Sequence, residues 1–398
     1  TTNSVGEDLA VLNGPATFLA PAEDARRPCE VRLELPKGWS RVMTALEPVP
    51  GGPPHRYRAD DFDALADAPI LAGRMVVHEF EVEGSTHLVV DAGAIEGWDA
   101  DRAARDLERI VREDRKLWGT LPFKRYLFLN IFRRGGGGLE HRDCTLLTSS
   151  AASAATPRRY RGWLNFVSHE YFHAFNAKRL RPVELGPFDY ETPPKTPSLW
   201  VAEGLTNYYG ELLVARAGLA SRREFLESLS NHIGTLQNTP GRLVQTLEES
   251  SRTVWDSGTS GIGRDPAKTV SFYEKGPVVG FLLDAKIRRA SEGARSLDDV
   301  MRLAFARHSG ARGFTPEQFR AIASEVAGID LADWFHKALA TTEELDYDDA
   351  LDWYGLRFAP AEGPSKRSWS LEVRPDATDA QKAHLRSLVE PAPSSKRP

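Results

Sequence analysis

The segment FVSHEYFHAF, residues 166–175, constrains this chain most, because it places two histidines four residues apart with a glutamate directly after the first. On a helix, residues four apart lie on the same face, about one turn from each other. We therefore predict a helix near 162–180, on which His169 and His173 hold one metal ion together. Zinc prefers neutral imidazole nitrogen, and Glu170 can accept a proton from water without ligating the metal.

A third protein ligand would separate a catalytic zinc site from two hydrogen-bonded core histidines, which are the alternative interpretation of the same spacing. Glu203 lies in an otherwise apolar turn of SLWVAEGLTNYYGELL (198–213), where a carboxylate is costly to bury unless it is paired or binds metal. A proline-rich loop, 182–197, separates it from His173 and lets the second helix fold back. We predict that Glu203 is the third ligand and that Asn207, one turn further on, orients a ligand histidine.

Length and composition set the class of protein. A chain of 398 residues predicts two or three domains, and 41% apolar with 27% charged residues predicts a real hydrophobic core. No apolar run is long enough for a membrane span, and a net charge of −5 argues against a nucleic-acid partner. Cys29 and Cys144 are too few for a disulfide framework, although they could pair with each other. The chain begins with Thr-Thr-Asn, so we expect a processed or trimmed N-terminus; the compartment, cytoplasmic or periplasmic, and the oligomeric state stay open.

Periodicity predicts an α+β fold in which strands come first and helices dominate after residue 160. Strands are predicted at 29–36, at 75–93 around a Gly84-Ser85 turn, and at 125–132, where the strand runs into four glycines, 135–138. Besides 162–180, helices are predicted near 98–119, 198–217, 221–238, 270–290, 297–309, 315–327 and 330–340. Ser198, Ser221 and Thr315 are predicted N-caps, and Gly218, Gly310 and Gly328 are predicted helix stops. From about residue 359 the composition predicts a loose tail.

HEYFHAFNAKRLRP (169–182), followed by LWVAEGLTNYYGELLVARAG (199–218), closely resembles the glycyl aminopeptidase family of zinc metallopeptidases. These are gluzincins, whose third zinc ligand is a helical glutamate. Further matching segments are LNGPATFL (12–19), LPFKRY (121–126), GGGGLEHRDCT (135–145), FDY (188–190), SFYEKG (271–276) and LDYDDALDWYGLRF (345–358). The resemblance implies a partial N-terminal β domain at 1–93, a mainly helical thermolysin-like catalytic domain at 94–345, and a C-terminal extension at 346–398, too short for the family's usual PDZ domain.

The resemblance also implies roles for other residues. Glu140 would bind the substrate's α-amine, and Gly137 and Gly138 would let the backbone approach a ligand closely. Tyr273 would stabilise the tetrahedral intermediate through its hydroxyl group, and His141 and Arg142 are weaker candidates for substrate contact. The alternatives are a glycine loop with an incidental acid and a buried structural tyrosine. Other histidines, including His232, are interpreted as ordinary surface or core residues.

Together these features predict a zinc-dependent aminopeptidase with one Zn²⁺ per chain, acting on peptides that have a free N-terminus. The family resemblance suggests glycine or alanine as the residue removed. A zinc endopeptidase without the amine anchor is the first alternative. A non-catalytic peptide-binding scaffold derived from a peptidase is the second, although a decayed site would be expected to have lost at least one of the zinc-site residues.

Overall fold

The computed structural model describes residues 3–19, 26–39, 41–93, 97–256, 265–360 and 368–390. The chain divides into two compact units: Thr1–Arg112 with Thr120–Ala174, and Glu113–Gly119 with Phe175–Pro398. Nearly all strands of the described chain belong to the first unit, and the second is mainly helical. The predicted α+β class, with a β-sheet region before a mainly helical one, is confirmed.

The strands of the described residues are short, and most are antiparallel to at least one neighbour. In chain order they are β1 (Ser4–Val5), β2 (Leu9–Leu12), β3 (Cys29–Arg32), β4 (Arg41–Thr44), β5 (Glu47–Pro48), β6 (Arg56–Ala59), β7 (Ile70–Gly73), β8 (Met75–Val82), β9 (Ser85–Ala92), β10 (Arg125–Phe132), β11 (Gly137–Glu140), β12 (Cys144–Ser149), β13 (Leu356–Phe358) and β14 (Leu371–Val373).

The helices of the described residues fall mainly where the apolar periodicity predicts them. They are α1 (Phe62–Ala66), α2 (Ala100–Trp118), α3 (Pro157–Phe172), α4 (Thr206–Arg216), α5 (Arg222–Gln237), α6 (Leu247–Arg252), α7 (Phe272–Ala290), α8 (Leu297–His308), α9 (Pro316–Ala327), α10 (Ala332–Phe335), α11 (Asp348–Tyr354) and α12 (Asp379–Val389). A π-helical segment, Trp200–Leu205, directly precedes α4. A second π-helical segment, His336–Ala340, directly follows α10. None of the described helices has the length and apolar character that a membrane span requires.

A five-stranded sheet in the first unit, in the order β11-β12-β10-β9-β8, carries the glycine run on its edge. The central strand β10 is parallel to both β9 and β12, whereas β11 is antiparallel to β12 and β8 is antiparallel to β9. The turn between β8 and β9 consists of Glu83 and Gly84, both with positive φ, and Ser85 already lies in β9. The boundary predicted at residue 93 therefore falls between two strands of one sheet.

The core of the first unit joins this sheet to a second one, which has the order β1-β2-β7-β4. Val11 and Leu71 of the four-stranded sheet and Val90, Leu129 and Leu146 of the five-stranded sheet form one cluster of fully buried side chains. Burying apolar surface at roughly 25 cal/mol per Å² stabilises such a cluster. Cys144 lies in this cluster, and neither Cys144 nor Cys29 forms a disulfide, so the two cysteines do not pair.

In the second unit, helix ends are fixed by local side-chain chemistry. The Ser221 hydroxyl accepts from the Glu224 backbone N–H while the Glu224 carboxylate accepts from the Ser221 backbone, and Thr315 and Gln318 do the same for α9. Gly328 ends α9 in the left-handed conformation, with φ of 70°. These two N-caps and this stop are confirmed. Ser198 makes no side-chain cap: the π-helical segment begins at Trp200, with Leu199 before it.

The prediction of a loose tail from residue 359 is wrong for residues 368–390. β14 pairs with β13, and α12 packs with Leu385, Leu388 and Val389 buried. The spacing of these three apolar residues is typical of an amphipathic helix, a signal that the polar and proline-containing composition around it conceals. The last part of the predicted tail, 391–398, lies outside the described residues.

Candidate metal centre

The helix that carries the two histidines begins at a side-chain cap and ends next to the second histidine. The Thr156 hydroxyl accepts from the Arg159 backbone N–H, and Pro157 occupies the first helical position. Helix α3 ends at Phe172, with His173 as its C-cap residue, so the predicted end at 180 is too late. The His173 backbone N–H still donates to the His169 carbonyl oxygen at 3.2 Å, so both imidazoles stay on one face.

The two imidazoles point at a common position. His169 Nε2 and His173 Nε2 are 2.9 Å apart, and the rings meet edge to face. Two nitrogen ligands, each about 2.0–2.1 Å from a tetrahedral zinc ion, are separated by roughly 3.3 Å. The pair therefore fits a zinc ion after a small movement of either ring, and neutral imidazole is the donor that zinc prefers.

Glu170 lies directly against the edge strand β11. A Cβ atom built on Gly138 would be only 1.9 Å from Glu170 Oε1 and 2.1 Å from its carboxyl carbon. Only glycine leaves room for this carboxylate next to the strand, which gives Gly138 a physical role that the sequence does not reveal. Gly137, with φ of 136°, requires glycine for its backbone conformation.

Glu140 ends the same strand, two residues after Gly138. One carboxylate oxygen of Glu140, one of Glu170 and one nitrogen of His173 all lie within 4.8 Å of one another. Two carboxylates at this separation repel each other, and a cation between them relieves the repulsion. The structure thus brings together, within the first unit, Glu140, Glu170, His169 and His173, and it places them around a position suited to positive charge.

His141 and Arg142, predicted as weaker substrate contacts, instead hold the end of β11 in place. His141 is 3% exposed, with Nδ1 3.2 Å from Asp67 Oδ1, and the Arg142 backbone N–H donates to Asp67 Oδ2 at 2.8 Å. The sequence gives no signal for Asp67, because the pairing joins residues 75 positions apart. The prediction that the His141 side chain contacts substrate is therefore not supported, and its contact with Asp67 fixes the strand end next to Glu140.

A contact between the rings of His87 and Tyr171 joins α3 to the five-stranded sheet. His87, fully buried on β9, lies with Nε2 3.0 Å from the Tyr171 hydroxyl and Nδ1 3.1 Å from the Ser85 carbonyl oxygen. Burial lowers the pKa of His87 to about 4, and the hydrogen bond with Ser85 only partly opposes this. At neutral pH the ring is uncharged, and it joins Glu170's neighbour Tyr171 to the sheet.

In the second unit, Glu203 occupies the π-helical segment Trp200–Leu205. Its neighbours Trp200, Val201, Ala202 and Leu205 are buried, as the apolar turn in the sequence predicts. Single-turn π-helical segments recur at functional sites because they realign the side chains of one helical turn. Asn176 holds this segment in place through hydrogen bonds: its Nδ2 donates to the Val201 carbonyl oxygen at 2.7 Å and to the Thr206 hydroxyl at 2.9 Å.

Tyr273 lies in the first turn of α7, which packs directly on the segment that holds Glu203. A Cβ atom on Gly204 would be 2.7 Å from Gly276 Cα, so the two backbones touch through glycine alone. Asn207 donates from Nδ2 to the Tyr273 carbonyl oxygen at 2.9 Å, and the Ser271 hydroxyl caps the Tyr273 backbone N–H. Asn207 therefore positions Tyr273, which differs from its predicted role beside a histidine.

His232 is another residue whose role the sequence does not reveal. Its Nδ1 is 2.7 Å from Glu274 Oε2 and its Nε2 is 3.3 Å from Glu211 Oε1. Burial lowers the pKa of His232, but the two glutamates outweigh burial and raise it to about 10. A charged His232 thus joins α4 to the start of α7, beside Tyr273. The motif SFYEKG contains Glu274, but its partner is 42 residues away along the chain.

Comparison with known families gives two matches, to separate segments of the chain. Residues 162–279 match the family model described as M61 glycyl aminopeptidase, and residues 1–74 match the Peptidase M61 N-terminal domain. The first match includes both histidines, Glu170, Glu203 and Tyr273. No curated protein matches the chain significantly.

Solved structures share the fold. An aminopeptidase N family protein from Idiomarina loihiensis is 28% identical with a TM-score of 0.85, over 90% of this chain and 63% of that chain. Yeast LTA4 hydrolase is 14% identical with a TM-score of 0.55, over 87% of this chain and 56% of that one. The M1 zinc metallopeptidase from Deinococcus radiodurans is 12% identical with a TM-score of 0.54, over 86% and 72%.

The chain spans less than two thirds of the length of the Idiomarina protein and of yeast LTA4 hydrolase. The two family matches cover LNGPATFL, the two segments that contain the histidines and Glu203, FDY and SFYEKG. They do not cover the predicted motifs between residues 75 and 161. The resemblance drawn from these motifs is confirmed: residues 1–74 and 162–279 of this chain match the two domain models of the M61 glycyl aminopeptidase family.

Proposed function

We propose that this protein is a zinc-dependent aminopeptidase in which His169, His173 and Glu203 hold one zinc ion. The histidine pair supports this through its converging Nε2 atoms, 2.9 Å apart. Glu203 is supported by its place in an apolar π-helical turn within the family match, and by the resemblance to gluzincins, which implies a helical glutamate as third ligand. When bound, zinc supplies Lewis-acid polarisation of the scissile carbonyl and activation of water.

Glu170 is the general base in this proposal. Its carboxylate lies against Gly138 on the strand edge, where an extended peptide can pair with the free backbone groups of β11. From there it accepts the proton of the attacking water and passes it to the leaving amine. Tyr273, held by Asn207 and Ser271 through its backbone, donates its hydroxyl hydrogen to the developing oxyanion.

The observation that carries the aminopeptidase assignment is the position of Glu140. Its carboxylate lies within 4.8 Å of the Glu170 carboxylate, at the end of the strand on which the substrate would lie. A substrate ammonium group there would be bound one residue from the scissile bond. An endopeptidase would have no use for an anionic group at this point, because it would meet an uncharged peptide. The family description, glycyl aminopeptidase, extends the proposal to glycine or alanine as the N-terminal residue.

The test compares one peptide with its N-acetylated form on the zinc-loaded enzyme. Removing one partner of a partly desolvated charge pair costs about 2–5 kcal/mol, so Glu140→Ala should lower kcat/KM for the free peptide by roughly 30-fold or more. Glu81→Ala is the matched control, because Glu81 is an exposed glutamate on β8, the opposite edge of the same sheet. We expect wild-type kinetics from it.

Each alternative has its own result in this experiment. Equal cleavage of the free and acetylated peptides by wild type would show an endopeptidase. Absence of cleavage of either peptide by protein with one zinc bound would favour the non-catalytic scaffold.

A further inference from the structure

An open groove in the first unit continues from the glycine run along α3. Its volume is about 460 Å³, and its walls come from the glycines before Glu140, the end of β12 and the first half of α3. The lining residues that bear on its use are Gly137, Ser149, Arg159, Gly162, Trp163 and Phe166. Phe166 lies one turn before Glu170 on the same helix, so the groove adjoins the proposed general base.

Gly162 lies within α3, where a glycine destabilises a helix relative to alanine. Nothing in the described part of the chain requires a glycine there: a Cβ atom at this position would meet no described atom within 4 Å, and its φ is not positive. Gly138, in contrast, has a neighbour that explains it. The space in front of Gly162 is part of the groove, so its missing side chain leaves room for something outside the chain.

Strand direction shows which part of a substrate reaches the groove. Glu140 ends β11 and would hold the ammonium group, while Glu170 lies beside Gly138. A peptide along the edge rises about 3.3 Å per residue, so its second and third residues pass Gly137 and the glycines before it. These are the residues on the leaving side of the scissile bond. Side chains alternate along an extended peptide, so one of the two faces the groove, and we assign this to the residue directly after the bond.

We propose, resting on the aminopeptidase function above, that this groove binds the leaving part of a short peptide. An apolar side chain directly after the scissile bond packs against Phe166, and the peptide's terminal carboxylate binds Arg159. The groove is a preformed one: Trp163 in its wall donates from Nε1 to the Ser149 hydroxyl at 3.1 Å, and Ser149 donates to Asn130 Oδ1 at 2.5 Å.

The charge of Arg159 supports a carboxylate as its partner. Among the described residues its guanidinium group has no hydrogen-bond or ion-pair partner, although its backbone N–H is used in the helix cap. Arginine binds a carboxylate through two parallel N–H donors. A carboxamide has only one acceptor oxygen and no negative charge, so it cannot form this pair. Arg159 lies eleven residues before Glu170 on α3 (170 − 159), about 16 Å along the helix, which is about five residues of an extended peptide.

The experiment fills the groove with a side chain of the protein. Gly162→Leu should lower the ratio of kcat/KM for Gly-Phe-Ala to that for glycinamide at least tenfold, because glycinamide has no residue after the scissile bond. It should also raise the Kd for N-acetyl-Phe-Ala at least tenfold in calorimetry; this probe has no ammonium group for Glu140. Gly234→Ala is the matched control, because Gly234 is also a helical glycine whose Cβ would meet only Trp369, at 3.9 Å.

Arg159 is tested by the pentapeptide Gly-Phe-Ala-Ala-Ala, which is long enough to reach it from Glu140, and by its C-terminal amide. Wild type should prefer the free carboxylate by about tenfold, and Arg159→Gln should abolish the preference, whereas Arg105→Gln, an exposed arginine on α2, should keep it. Equal wild-type kinetics for acid and amide would overturn the carboxylate assignment.

The results separate this inference from the proposed function. If Gly162→Leu keeps both the substrate ratio and the Kd of wild type, the groove assignment is overturned while the aminopeptidase stands. If wild type cleaves no substrate but binds N-acetyl-Phe-Ala, and Gly162→Leu loses that binding, the groove stands and the proposed function fails. Absence of both cleavage and binding overturns both.

Discussion

Replacing Gly138 with alanine tests the position of Glu170, because the added methyl group would occupy the place of the carboxylate. The Cβ atom would lie 1.9 Å from Glu170 Oε1. A carbon–oxygen contact needs about 3.3 Å, so the oxygen must move away by roughly 1.4 Å. The atoms that must move are the end of a flexible side chain, so we expect the protein to fold with little loss of stability.

Catalysis should suffer much more than folding. A displacement of about 1 Å in a reacting group can cost 10²-fold, and complete loss of a general base costs about 10²–10⁴-fold. We therefore expect kcat of Gly138→Ala to fall by about 10²–10⁴, which corresponds to roughly 3–5 kcal/mol in the activation free energy. The metal content should stay at the wild-type value, since neither histidine contacts the new methyl group among the nearest atoms at this position.

Steady-state kinetics with an aminoacyl amide, zinc analysis and thermal unfolding together measure these effects. Gly136→Ala is the matched control: it lies in the same glycine run, its φ is not positive, and its new methyl group would meet nothing within 4 Å. The control should keep kcat within about threefold on this short substrate. If Gly138→Ala also keeps kcat within threefold, Glu170 does not act from the position seen here, and the reasoning is refuted.

Three further predictions concern other parts of the molecule. Glu203→Ala should lose most bound zinc, as measured by elemental analysis after dialysis; full metal occupancy would remove Glu203 from the ligand set. Tyr273→Phe should lower kcat by about 10²–10³ with little change in KM, whereas an effect on KM alone would indicate simple substrate contact. His87, with a folded pKa of about 4 against about 6.5 when unfolded, binds its proton more readily in the unfolded chain, so stability falls as pH drops from about 6.5 to 4. We expect its contribution to the free energy of unfolding to decrease by about 2 kcal/mol from pH 7 to pH 5. Urea unfolding of wild type and His87→Gln checks this, and equal pH slopes would contradict it.

The sequence could predict what depends on neighbouring residues. The spacing of His169 and His173 determines that they share a helix face, and Ser221 with Glu224 determines a helix start, because both are local relations. Glu203 stands out in the sequence because every residue around it is apolar, and the structure buries those neighbours. The match of residues 162–279 to the M61 family model covers the same local motifs.

The remaining features depend on residues that are far apart in the chain. β11 contains two glycines and no alternating apolar pattern, so its strand conformation follows from pairing with the fully buried β12. The contact of Asp67 with His141, that of His87 with Tyr171 and that of His232 with Glu211 and Glu274 all join distant segments. No periodicity records such pairs, so these positioning residues emerge only from the fold.

Metal reconstitution tests the central proposal most directly. The protein is stripped with a chelator, and hydrolysis of a free-amine glycyl peptide is then measured as zinc is added in known equivalents. Three protein ligands forming one site predict that activity is lost on stripping and returns in proportion to zinc, reaching a plateau at about one equivalent per chain. Hydrolysis that continues unchanged in the stripped protein would contradict the proposal that His169, His173 and Glu203 hold a catalytic metal.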